Sequence, residues 1–364
     1  MVFKALFVLV LYLLLSVPLL AGGVGTTSAD WLRLGLGTRA AAMGGNFTGG
    51  ADDVSAMYYN PAGLAGQTKR QVDTMRMNYI ADMSYFYVGG VYPIGESQTL
   101  GAYYGSLQTP AIPVTTISSP TGTGATFSDS ASVISLSYAR KLNDQLKMGV
   151  SGKLINENLA GDTAGATAFD LGLMYDNAMP NLSVGVAMQN FGIGQLRNAP
   201  IGTSLKVGAK YHMNEVLDIY GDLNCPLEDQ LYYGLGAEYW MMPTLAVRGG
   251  FNTLSGISLG VGLRWSAIYF NYAYVPYGDL GDSHRLALTY DFDFTSNEQK
   301  VLEQIPAAPA PEAKPEDPKP DFINDADLFK PTVATEEFEN LMKDNPEKKI
   351  ETKPAAEKPK EDLF

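Results

Sequence analysis

From Gln71 to Phe294 the chain repeats one unit, a run of about ten alternating residues followed by a turn. Ile257, Leu259, Val261, Leu263 and Trp265 alternate with Ser258, Gly260, Gly262 and Arg264. Leu286, Leu288, Tyr290, Phe292 and Phe294 alternate with Arg285, Ala287, Thr289, Asp291 and Asp293, and Phe169, Leu171, Leu173 and Tyr175 with Asp170, Gly172, Met174 and Asp176. One face is greasy, the other mostly Gly, Ser or charged, which is the period-two signature of a strand. A soluble sandwich shows the same alternation with its greasy face inward. Two features favour a membrane instead. The runs match the ~9–11 residues that a tilted transmembrane strand needs. Aromatics (Tyr239, Trp240, Phe251, Tyr274) also gather at run ends, where interfacial girdles form.

The pattern predicts about fourteen strands, near 71–80, 83–94, 97–107, 130–141, 145–158, 167–176, 182–190, 203–213, 216–225, 230–241, 244–253, 256–265, 268–276 and 284–294. Connections after even strands are short: Gly95-Glu96, Leu142-Asn143-Asp144, Asn214-Glu215, Met242-Pro243 and Ser266-Ala267. Those after the third (Gln108 to Asp129), fifth, seventh and thirteenth are long, while those after the first and eleventh are short. Outer-membrane barrels have short periplasmic turns and longer outside loops. The expected fold is therefore all-β, a closed antiparallel transmembrane β-barrel over 70–294, with both mature termini periplasmic.

Three other segments flank this pattern. Lys4, the apolar run Ala5 to Leu20 and the small-residue site Ala21-Gly22-Gly23 read as a secretory signal peptide over 1–23. The competing reading, a retained inner-membrane helix, has to contend with Pro18 and a run short of ~20 residues. Residues 24–69 are Gly-rich, and their small side chains suit an N-terminal hatch packed inside the lumen. A short helix is expected between the glycines around Arg39, and a second one capped at Asp52 or Asp53 and stopped by Pro61. Residues 295–364 are rich in Pro, Ala, Glu and Lys, a composition that cannot bury a core, so a disordered periplasmic tail is expected. Asp327-Leu328-Phe329 recurs there as Asp362-Leu363-Phe364, either a docking motif for a periplasmic partner or chance in a biased sequence.

Composition agrees with this organisation. Among 364 residues, Gly 38 and Tyr 21 are high, and charged residues make up only 18%. Mean hydropathy of -0.05 is too polar for a bundle of membrane helices but suits strands that alternate between lipid and lumen. The net charge of -13 argues against nucleic-acid binding. The tail holds 10 basic and 17 acidic side chains, about half of that net charge. Cys225 stands alone, so neither an intramolecular disulfide nor a cysteine metal cluster forms. The N-terminal cysteine of a lipoprotein is also missing.

Gly37-Thr38-Arg39-Ala40-Ala41-Ala42-Met43-Gly44-Gly45, followed by Ala51-Asp52-Asp53-Val54-Ser55-Ala56-Met57-Tyr58-Tyr59-Asn60-Pro61-Ala62-Gly63-Leu64-Ala65, resembles the N-terminal signature of PorV/PorQ family outer-membrane proteins. Its Asn60-Pro61-Ala62-Gly63 core also resembles the plug of the wider FadL-like transporter superfamily. The resemblance spans about 24–294 and implies a fourteen-stranded barrel with an N-terminal hatch. It implies one of two roles: diffusive passage of hydrophobic molecules through hatch and barrel wall, or a type IX secretion component that binds exported proteins and hands them to a surface enzyme. The implied partners are outer-membrane lipid, the barrel-assembly machinery, and a hydrophobic small molecule or exported protein. The charged tail departs from the common pattern.

No enzyme, metal site or cofactor is expected. His212 and His284 fall at opposite rims in this topology, too far apart to share a metal or a reaction. Ser283 and His284 point to opposite faces of one strand. Gly35-Leu36-Gly37 lacks a preceding strand and the rest of a phosphate-binding fingerprint. The candidate gate is Asn60, Pro61, Ala62 and Gly63 with Gly44 and Gly45. In this gate Asn60 satisfies backbone groups freed at a helix end, and Pro61 removes a donor. The alternative is that both simply terminate the helix. For ligand lining the hatch offers Leu36, Met43, Met57, Tyr58 and Leu64, with Leu32 and Leu34. Lys147, Lys153, Lys206, Lys210, Arg248, Arg264 and Arg285 face the lumen with Asp170, Asp176, Glu238, Asp291 and Asp293. They either pair across it or set a field for a polar solute.

Overall fold

The computed structural model describes residues 25–295. The expected signal peptide and the tail with its two Asp-Leu-Phe triplets lie outside the described residues. Fourteen antiparallel strands close into a barrel. In chain order they are β1 (71–78), β2 (84–94), β3 (98–108), β4 (130–141), β5 (146–159), β6 (162–179) and β7 (182–193), then β8 (204–214), β9 (217–226), β10 (232–242), β11 (245–252), β12 (256–265), β13 (268–276) and β14 (282–291). Each pairs with its sequence neighbours, and β14 closes on β1 in the register Gln71↔Asp291 to Asn78↔His284. Closure leaves no unpaired edge, which a lipid environment requires.

The greasy alternation points outward. Ile257, Leu259, Leu263, Leu286 and Leu288 are exposed, while Ser258, Gly262, Arg285 and Ala287 between them are buried. Rings gather at both rims. Tyr92, Trp265, Tyr290 and Phe292 are exposed at the short-turn end, and Phe86, Phe191, Tyr233 and Phe251 at the other end. Trp240 is not part of a girdle. It shares the inward parity of Glu238 and borders a cavity inside the barrel. Along β1–β5 the inner face is apolar too. Met75, Met77, Tyr85, Tyr87, Tyr103, Val133 and Ile155 pack against the hatch and fill a lumen that alternation alone would assign to polar residues.

Two strand limits differ from the periodicity. β5 and β6 run on to a tight turn at Ala160 and Gly161, both at positive φ, where a long loop was expected. The Thr, Ala and Gly residues at 163–168 continue the hydrogen-bond ladder without greasy alternation, so the pattern ended before the strand did. At the other limit, β14 stops at Asp291. Phe294 lies beyond it with the Lys69 ammonium 5.8 Å and the Arg264 guanidinium 5.4 Å from its ring centre, so it is not a lipid-facing residue of the last strand.

The hatch threads the barrel from end to end. Ser28 N donates to Pro200 O at 2.8 Å, Trp31 Nε1 to Glu157 Oε1 at 2.8 Å and Arg33 Nη1 to Asp229 Oδ2 at 2.7 Å, all at or near the end that carries the long connections. At the far end of the hatch, Lys69 pairs with Asp291 (3.2 Å) and Arg70 with Asp293 (2.5 Å) at the short-turn end. Both termini were expected at one end, but residues 25–29 lie at the end opposite to residue 70. Between them α1 (Thr38–Ala42) and α2 (Ala56–Tyr59) form single turns. Ser55, rather than Asp52 or Asp53, precedes α2. Asp53 sets that turn from two residues further out, accepting from Ser55 N (2.9 Å) and Oγ (2.6 Å). Pro61 ends α2 as expected and opens a 3₁₀ turn, Pro61–Gly66.

Candidate functional site

Asn60 is the joint between hatch and wall. Fully buried, it donates from Nδ2 to Thr48 O (3.0 Å) and Leu173 O (3.1 Å) and accepts from Ala62 N at Oδ1 (3.1 Å). One amide thereby satisfies a hatch carbonyl, a β6 carbonyl and the N–H at the start of the 3₁₀ turn. The seat exists because the facing wall residues are glycines. A Cβ at Gly172 would stand 2.1 Å from Asn60 Oδ1, and one at Gly185 2.3 Å from Thr48 O. Pro61 lies over Gly149 in the same way, and Ala62 and Gly63 are buried beside it.

A second joint was not anticipated. Arg39 donates from Nε (2.8 Å) and Nη2 (2.5 Å) to the two oxygens of Glu238, from Nη1 to Asp52 and to Asp53 (3.3 Å), and from Nη2 to Tyr220 Oη (3.3 Å). Its guanidinium lies 5.1 Å from the centre of the Phe47 ring. Arg248 Nε donates to the same Oε1 of Glu238 at 2.7 Å, and Lys210 pairs with Asp52 at 3.1 Å. Burial works against the Asp52 charge, but Arg39 and Lys210 outweigh it and bring its pKa down to about 2. Asp52 therefore keeps its charge in acid solution, whereas burial pushes the Asp53 carboxyl up. The sequence held a signal for it. Between Arg33 and Lys69, Arg39 is the sole cation, and Asp52 and Asp53 the sole acids, of an otherwise uncharged segment.

The hatch separates cavities at the two ends of the barrel. The upper cavity, about 210 Å³ at the long-connection end, is walled by rings of Tyr58, Tyr59, Tyr79, Tyr232 and Tyr277, with Lys206 and Arg285. Ala41, Gly44 and Gly45 give it a small-residue floor. Below α1, a cavity of about 260 Å³ is polar, with Arg39, Asp52, Asp53, Asp73, Arg248 and Trp240 on its walls. Another of about 350 Å³ lies at the same end, between Gly49–Asp52 and Lys147, Asp176 and Lys210.

Of the residues expected to line a ligand path, Tyr58 and Leu34 border the upper cavity, and Leu32 is buried away from it. Leu36, Met43, Met57 and Leu64 border none of these cavities. They are core, Met43 against Gly236 and Gly250 and Met57 against Gly89 and Gly101. Most of the charges expected in the lumen pair: Lys147–Asp176 (2.5 Å), Lys153–Asp170 (2.6 Å), Lys210–Asp218 (3.0 Å) and Arg248–Glu238. Arg264 stacks on Tyr269 and Phe294 at the short-turn end. Lys206 and Arg285 also lack an ion pair, and both border the upper cavity. His212 pairs with Asp218 and His284 with Tyr272, at opposite rims. Among the described residues no group of acids, histidines and cysteine is placed to hold a metal.

Beside Tyr58 the wall itself is interrupted. The register of β6 and β7 slips between Phe169↔Phe191 and Leu171↔Met188. Asp170 fills the gap, accepting from Asn190 N at 2.7 Å, and Lys153 bridges Asp170 and Asn190 Oδ1 (2.7 Å). Gln189, in the same bulge, donates to Tyr58 O and, at 3.0 Å, to Tyr59 O, tying α2 to the interruption.

No family model matches the sequence, and no curated protein resembles it significantly. The fold has close counterparts among solved structures. The Ralstonia pickettii toluene transporter TbuX superposes with a TM-score of 0.53 at 18% identity, covering 72% of this chain and 99% of TbuX. The Pseudomonas putida toluene transporter TodX superposes with a TM-score of 0.50 at 14% identity, covering 71% and 98%. The chain shares the barrel fold of these two transporters.

Proposed function

We propose that this barrel passes hydrophobic small molecules across the bacterial outer membrane, through a lumen gated by the 25–69 hatch. The observation that carries the reading is the tyrosine-walled upper cavity, floored by the hatch and flanked by the β6–β7 interruption. A solute entering at the long-connection end, the outer one in this reading, meets tyrosine faces with polar and cationic groups between them. From there it has two ways on. One is downward, past a hatch held by Asn60 and Arg39. The other is sideways, where Asp170 and Asn190 stand in for missing ladder hydrogen bonds. The toluene transporters of the same fold support this solute class. The secretion role implied by the PorV/PorQ resemblance has no structural observation in its favour.

Crystals of the full chain soaked with bromobenzene test the reading through the anomalous signal of bromine. The expected site lies between Tyr58, Tyr59 and Tyr232. Bromine found on the lipid-facing surface and nowhere in the lumen would overturn it.

A further inference from the structure

The upper cavity is bordered by two buried cations that form no ion pair among the described residues. Lys206 is 6% exposed. Its ammonium forms no ion pair and rests over the rings of Tyr58 (5.5 Å) and Tyr59 (5.7 Å). Two carboxylates act on it from a distance without pairing: Asp222 accepts from Phe47 N (3.0 Å) and Thr48 N (2.9 Å) at Oδ2 and leaves Oδ1 without a hydrogen bond, and Asp170 holds Lys153 and Asn190. Arg285 is 3% exposed, donates to Gly35 O (3.1 Å) and Tyr277 Oη (3.2 Å), and leaves Nε without a partner. Asp30 is the one acid bordering this cavity. It is exposed and takes a hydrogen bond from Thr27, while Arg33 beside it is paired with Asp229.

A buried cation without a counter-charge is costly, and a ring face compensates only part of that cost. Lys147, Lys153, Lys210, Arg39 and Arg248 all have carboxylates, and Arg264, half-buried at the other end, lies over the Tyr269 and Phe294 rings, so the two lumen cations that are buried and without an ion pair both border this cavity. The same walls offer two more unmet polar atoms, Asn224 Oδ1 and Ser258 Oγ. Asn224 is the cross-strand partner of Lys206. The arrangement presents cations for an anion, tyrosine faces for a ring, and a hydroxyl-sized hydrogen-bonding pair.

We infer that the upper cavity selects small aromatic carboxylates, a ring hydroxyl included, over neutral aromatics and over aliphatic acids. This rests on the passage reading and specifies its solute. The carboxylate takes the place of the missing counter-charge at Lys206 and Arg285. The ring lies against Tyr58 and Tyr59, and its hydroxyl donates to Asn224. About 210 Å³ accommodates one such ring rather than a long acyl chain.

The test is calorimetry on the full-length barrel in lipid nanodiscs, with three probes: 4-hydroxybenzoate, its neutral counterpart 4-methylphenol, and hexanoate. Tenfold or greater preference for 4-hydroxybenzoate over both others is expected. Lys206→Met should lower that affinity at least tenfold and leave 4-methylphenol unchanged, while Lys206→Arg retains it. Asn224→Asp keeps every side chain in place and sets a carboxylate across from Lys206. It should cause the same loss, and it serves where Lys206→Met fails to assemble. Equal affinity for 4-hydroxybenzoate and 4-methylphenol removes the charge selection and leaves the passage reading standing. Hexanoate binding as well as 4-hydroxybenzoate removes the ring. Unchanged 4-hydroxybenzoate affinity in assembled Lys206→Met and Asn224→Asp overturns the assignment, and failure of both ring compounds to bind removes the passage reading with it.

Discussion

Arg39→Ala is expected to release the hatch without harming the barrel. The change deletes a two-point pair to Glu238, the links to Asp52, Asp53 and Tyr220, and the cover over Phe47. Removing one partner of a buried pair costs about 3–5 kcal/mol, because the partner left behind keeps its charge without its counter-ion. Here the lower figure applies. Glu238 retains Arg248 at 2.7 Å and Asp52 retains Lys210 at 3.1 Å, which leaves Asp53 as the acid that loses its cation. About 3 kcal/mol is on the order of a 100-fold shift toward an unlatched hatch. Hydrogen exchange read by mass spectrometry separates the two parts of the molecule. Amides of residues 38–66 should exchange on the order of 100-fold faster, while those of β1–β14 keep their protection. Unchanged hatch protection would refute the latch. Equal loss in hatch and strands would show that Arg39 supports the barrel instead.

Other consequences follow from the same joints. Asn60→Ala leaves Thr48 O, Leu173 O and Ala62 N without their partner, at about 1–3 kcal/mol per unsatisfied group. It should speed hatch exchange while the barrel stays heat-modifiable on gels, and normal exchange would leave Asn60 a mere helix stop. Gly172→Ala drives a methyl into Asn60 and Pro61, so residues 38–69 should become trypsin-sensitive at Arg39 and Lys69; a protease-resistant variant would show that the seat tolerates a side chain. An epitope between Gln108 and Asp129 should be accessible on intact cells, and one after Phe294 should not; the reverse labelling would invert the topology. Deleting residues 300–364 should leave assembly intact, whereas Phe292→Ala, which removes an exposed rim ring, should lower the assembled amount; loss of assembly on tail deletion alone would move the end of the barrel.

The wall was legible in the sequence because lipid enforces period two. Ile257 to Trp265 read outward from alternation alone, and all fourteen strands stand within a few residues of the expected limits except where β5 and β6 continue as a ladder without greasy alternation. The hatch was legible as a segment but not in its course. Val24 to Lys69 has no period, so nothing in it indicates that residue 28 meets Pro200 while residue 69 meets Asp291. Asn60 and Pro61 were found because a helix end needs such residues. Leu36, Met43, Met57 and Leu64 were assigned to a ligand path because greasy hatch residues look alike in sequence, whether they face a cavity or a glycine on the wall. Pairing across the lumen was also beyond the pattern. Lys206 and Lys210 sit four residues apart on the inner face of one strand. Only the closed barrel shows that Lys210 pairs with two acids and Lys206 with none.

Gated passage of hydrophobic small molecules is tested most directly by the initial rate of labelled toluene uptake in cells whose lipopolysaccharide-bearing outer membrane slows its diffusion. Three strains are compared at equal assembled protein: wild type, Arg39→Ala, and one without the chain. The wild-type chain should raise the rate above the chain-free strain, and Arg39→Ala should change it further. Three equal rates would contradict the account.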